Sequence, residues 1–139
     1  MKWSRHPLER SDGFPDNTKH RYYEIAVTVR AGAEGFGTVV EYPSSYSFKV
    51  VTRQGRLKTI AKLIPHHSHA GPVLLAAFST TEPEAERFAL RFGQPGAPCR
   101  VMNEPFLLSI IPERQDAATI AEVFIEFMRD AQTRRRIEP

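Results

Sequence analysis

His66, His67 and His69 are the residues whose types and spacing come nearest to chemistry. Imidazoles two or three positions apart can reach one metal ion, and three would complete a zinc or copper site of the catalytic kind. One of them could equally serve as a general base near neutral pH. Ligating histidines need carboxylates behind them to fix their tautomers, and the nearest acids along the chain are Glu41 and Glu82. The triplet therefore reads first as a solvated turn between prolines. A metal-dependent or histidine-based enzyme centred on it is the alternative to a binding role.

Other catalytic devices are missing from the sequence or have simpler explanations. Cys99 is the single cysteine, so neither an internal disulfide nor a thiolate zinc site can form. It stands between Pro98 and Arg100, where a lone thiol reads as a small buried hydrophobe. No G-x-S-x-G elbow, phosphate loop, dinucleotide fingerprint or H-E-x-x-H occurs. Gly35-Phe36-Gly37 is too short to cradle a phosphate and reads as a bulge or turn edge. Glu82, Glu84 and Glu86, and then Glu113 and Asp116, stand where helices begin, as the helix dipole favours. No cofactor is implied.

Charge offers a stronger pattern. Residues 46–63, YSFKVVTRQGRLKTIAKL, read as a β-hairpin turning at Gln54-Gly55. A two-residue turn there sets Val51 opposite Lys58, Lys49 opposite Ile60 and Ser47 opposite Lys62. Alternation would then carry Lys49, Arg53, Arg56, Lys58 and Lys62 to one face and Phe48, Val50, Leu57, Ala61 and Leu63 to the other. Five like charges on adjacent strands, with no acid between them, suit an anionic partner. That partner is an acidic protein surface or a nucleic-acid backbone. No RNP-type motif supports the second, and Tyr22 alone among the candidate stacking rings alternates outward.

The elements that must position this face follow from periodicity. Residues 1–21 are polar, broken by Pro7, Gly13 and Pro15, and read as an N-terminal arm. Residues 22–139 are expected to form one α+β domain. Tyr23, Ile25, Val27 and Val29 alternate, which predicts a strand over 22–30, and 36–42 a second. With the hairpin these make an N-terminal four-strand meander. Residues 73–78 and 106–111 are apolar on both faces, as interior strands are, and a crossover between them would add a parallel pair. Thr81-Glu82-Pro83-Glu84 opens a helix to about 92, and 113–134 carries Ala117, Ile120, Ala121, Phe124, Phe127, Met128 and Ala131 at helical spacing. The expected fold is a mostly antiparallel sheet of five to six strands with two helices packed on one face. Val123 and Ile125 lie off the helical stripe, and a homo-oligomer is one way to cover such surplus apolar surface.

The chain has 139 residues, enough for one domain with its own core, and its formal charge of +3 is mildly basic. No apolar leader follows Met1 and no run approaches the roughly 20 apolar residues of a membrane helix, so a cytoplasmic protein is expected. The composite expectation is a small non-enzymatic binding module.

Overall fold

A computed structural model describes residues 14–42, 45–68, 71–79, 97–101, 104–112 and 114–137. Helix α1 (Asp16–Gly32) opens the fold. Strands β1 (Gly37–Tyr42), β2 (Ser45–Val51), β3 (Leu57–Ser68) and β4 (Gly71–Ser79) follow. Strands β5 (Ala97–Val101) and β6 (Glu104–Ile110) precede the closing helix α2 (Ala117–Ile137). The described residues are α+β, with an antiparallel sheet and two helices, as the sequence implies. The expected helix over 81–92 lies outside the described residues.

The first expected strand is a helix. Over residues 22–30 an alternating pattern and a helical one both fit, but Tyr22, Ile25, Ala26 and Val29 are the residues buried, and Ala33 continues their stripe. Pro15 precedes the first turn, Asp16 sits within it, and Gly35 at φ 97° releases the chain beyond the C-terminus. Residues 16–21, read as part of an arm, thus belong to α1. The four-strand meander exists, but it is β1 to β4, from 37 to 79.

Sheet order is β1-β2-β3-β4-β6-β5, with every neighbouring pair antiparallel. The parallel crossover expected between 73–78 and 106–111 is therefore replaced by antiparallel pairing of β4 with β6, Ala77 opposite Leu108. Residues 97–101 form β5. Pro65 lies inside β3 rather than in a loop. It falls beyond Leu63, the last β3 residue aligned with β2 from Tyr46 onward, where a missing N–H toward that side breaks no ladder bond.

Both helices press on one face of the sheet. Phe124 of α2 meets the Phe48 ring edge-on at 4.5 Å and stacks on Phe78 at 5.6 Å, while Phe127 meets Phe78 at 5.8 Å. Under α1, Tyr22 and Tyr46 lie 4.6 Å apart. The stripe expected of α2 is buried throughout, and Val123 is buried with it. Ile125 packs against Gly32 of α1, where an added Cβ would collide with its side chain. Val123 and Ile125, the apolar positions off the helical stripe, are thus absorbed by the fold. Asp116 caps α2, its Oδ1 accepting from the Thr119 N–H at 2.8 Å, and this bonding holds its carboxyl below the usual range. Arg21 ties α1 to the segment before α2, its Nη2 donating to the carbonyls of Pro112 (2.6 Å) and Gln115 (2.5 Å).

The tyrosine pair makes stability pH-dependent. Burial raises both phenols above their ordinary value, with smaller contributions from nearby Glu41 and neighbouring tyrosines, Tyr46 acting on Tyr22 and Tyr23 on Tyr46. The folded chain keeps them neutral where the unfolded chain ionises them. Their contribution is therefore intact below a pH of about 10 and lost as pH climbs past it. Thermal melts should show a steeper alkaline loss for the wild type than for Tyr22→Phe/Tyr46→Phe. Identical slopes would contradict this assignment.

Candidate functional site

The candidate site is the face of the sheet turned away from both described helices, open in the sense that neither of these two packs on it. Paired residues of an antiparallel ladder point to the same side. Phe48, aligned with Val39, Ala61 and, across Ala61, Phe78, marks the helix side. The next row, Val40, Ser47, Lys62 and Ala77, belongs to the opposite side, where Ser47 and Ala77 are themselves buried. Further along lies the row Ile64, Leu75 and Ile110, with Ile110 43% exposed. Tyr42, 40% exposed, and Lys49 complete the face toward β1, where Lys49 Nζ donates to the Tyr42 hydroxyl at 3.2 Å and rides 5.6 Å from its ring.

The hairpin of β2 and β3 forms, but its register departs from expectation for two local reasons. Its loop has three residues: the Thr52 N–H donates to the Arg56 carbonyl at 2.7 Å and the Gly55 N–H to the Thr52 carbonyl at 2.9 Å. Gly55 at φ 79° supplies the left-handed step such a loop needs, and Thr52 Oγ1 accepts from the Arg56 N–H at 3.2 Å. A bulge then falls at Ile60, because Phe48 aligns with Ala61 and Lys49 with Thr59. Ile60 and Ala61 are both buried, and alternation along β3 inverts between Ile60 and the loop.

The five cations are consequently divided. Lys49 and Lys62 stand on the open face, with Ser47 aligned to Lys62 as expected. Lys58 aligns with buried Val50 and so stands at the rim of the helix side. Leu57, expected in the core, aligns with Val51 on the open side and is 52% exposed. Arg53 and Arg56 are exposed at the hairpin tip. The single-faced basic surface is replaced by two lysines among apolar side chains, with two arginines at one end. Among the described residues of β1 to β4, none on this face is acidic.

Ser47 is 1% exposed, and its hydroxyl has no hydrogen-bond partner among the described residues. Such a buried donor costs free energy unless something meets it. Its neighbours in sequence look like any strand, so nothing local marks its hydroxyl as buried.

The histidines take up a different arrangement from the loop envisaged. His66 and His67 hold successive positions of β3, aligned with Val73 and Pro72, and His69 lies outside the described residues. Among the described residues no group of three His, Cys, Asp or Glu could hold a metal ion. Cys99 falls in β5, aligned with Phe106.

No family model, curated protein or solved structure matches this chain. Among the described residues, no helix is long and apolar enough to cross a membrane.

Proposed function

We propose that this chain is a non-enzymatic binding module that takes an acidic, amphipathic polypeptide segment on the open face of its sheet. One observation carries the reading: Tyr42, Ile64, Leu75 and Ile110 share that face with Lys49 and Lys62, and both described helices pack on the other side. The apolar side chains exposed on that face, Tyr42, Leu57 and Ile110, supply the burial that gives affinity, while the lysines select an acidic partner and speed its encounter. Arg53 and Arg56 extend the attraction to the hairpin tip. Two lysines on an apolar face suit a polypeptide better than a nucleic-acid backbone, whose capture needs many phosphate contacts.

Selection of displayed random peptides on the immobilised wild-type protein tests this, beside a random single-stranded oligonucleotide at physiological salt. Enriched peptides should interleave Asp or Glu with Leu, Ile or Phe, and the oligonucleotide should remain unbound. Enrichment without acids, or salt-sensitive oligonucleotide binding in place of peptides, would overturn the proposal.

A further inference from the structure

We infer that two copies of this chain pair through the outer edges of their β1 strands, extending the sheet across a two-fold axis. β1 ends the sheet, and among the described residues no strand lies beyond it. The Gly37 N–H donates to the Ala33 carbonyl at 2.8 Å, away from β2. Amide directions alternate along a strand, so the amides of Val39 and Glu41 also face outward. Such a row of donors and acceptors is a template for another strand.

The edge is shaped for its own copy. On the helix side it borders a groove of about 520 Å³ lined by Val27, Arg30, Ala31, Glu34, Gly37 and Thr38. Val27 is exposed there, and Tyr23, one turn earlier on α1, is exposed as well. A two-fold axis normal to the sheet keeps both helix layers on one side and pairs only residues of the same face. Centring it on Val39 satisfies this, with Val39 opposite its copy and Glu41 opposite Gly37. The Val39 amides then bond reciprocally, and each Glu41 N–H meets a Gly37 carbonyl. Gly37 asks nothing in return, since its own N–H is already used.

Charge fixes the same register. Glu41 aligns with Tyr46, and its carboxylate helps raise the phenols of Tyr22 and Tyr46, so it lies on the helix side of β1. Centring on Val39 delivers that carboxylate beside Gly37, which has no side chain to obstruct it, into the groove that Arg30 lines. The symmetry repeats this pairing at the other end. A register centred on Val40 sets Glu41 against Val39 instead and takes it away from the groove. This interface is independent of the open face described above.

Analytical ultracentrifugation reads the outcome. The wild type should sediment at twice the protomer mass, and Glu41→Arg or Arg30→Glu should each weaken association by at least ~10-fold. The two reversals together should restore the dimer, which a variant damaged in folding would not do. Hydrogen exchange on the unaltered protein gives a second reading: the amides of Val39 and Glu41 should lose protection on dilution. A wild type that stays monomeric at high concentration, a dimer indifferent to both reversals, or edge amides unprotected at every concentration would each overturn the inference.

Discussion

Phe124→Ala should lower the free energy of unfolding by about 3–5 kcal/mol, the range for emptying a buried aromatic position. Phe124 is fully buried and touches the rings of both Phe48 and Phe78, so it joins α2 to two strands at once. Alanine would leave a void between those rings, and neither can move to fill it without leaving the sheet. Against a total of about 5–15 kcal/mol for an ordinary domain, this loss makes the fold marginal. Urea unfolding with an unchanged m-value is the measurement. Phe124→Leu, which keeps most of the volume, should cost roughly 1–2 kcal/mol. A loss under about 1 kcal/mol for the alanine variant would mean that the aromatic cluster is not the centre of the core.

Lys49→Glu/Lys62→Glu should weaken capture of a selected acidic peptide by about 100-fold, roughly tenfold for each reversal. Both positions are on the open face and neither is deeply buried, so the melting temperature should barely move. Lys58→Glu is the informative control. It lies in the same hairpin and carries the same charge, but it stands on the helix side of the sheet. Its affinity should stay within about twofold of wild type, because charge alone without placement contributes little through the screening of water and salt. Equal losses at Lys58 and at the open-face pair would return the reading to a diffuse basic hairpin.

The contrast between those lysines shows what the sequence could and could not reveal. The hairpin itself was legible, from β-branched residues around a glycine turn, and so was the pairing of Ser47 with Lys62. The bulge at Ile60 was not, because both Ile60 and Ala61 are apolar and either could face the core. One extra residue was enough to move Lys58 and Leu57 to the opposite sides. In α1, Ile25 and Val29 satisfy both a strand period and a helical one. The burial of Ala26 between them, and the placement of Pro15 and Asp16, decide for the helix. By contrast α2 was fully legible along its stripe, since a helical pattern sustained over four turns has no strand counterpart. The histidine triplet looked like a loop because of its prolines. Pro65 is accommodated only because β3 outruns β2 at that point, which is a property of strand lengths and not of local sequence.

The open face itself was visible only as a consequence of which elements are helices. With residues 22–30 read as a strand, α1 was not available to cover the side on which Tyr22 meets Tyr46. Once α1 and α2 share one side, Ile64, Leu75 and Ile110 fall on the other by register alone.

The most direct test of the central claim is the amide footprint of a bound acidic peptide on the isotopically labelled protein. Shifts should gather at Val40, Tyr42, Lys49, Lys62, Ile64, Leu75 and Ile110 and leave the outer surfaces of α1 and α2 unchanged. A footprint centred on the helices, or one confined to Arg53 and Arg56 at the hairpin tip, would contradict it.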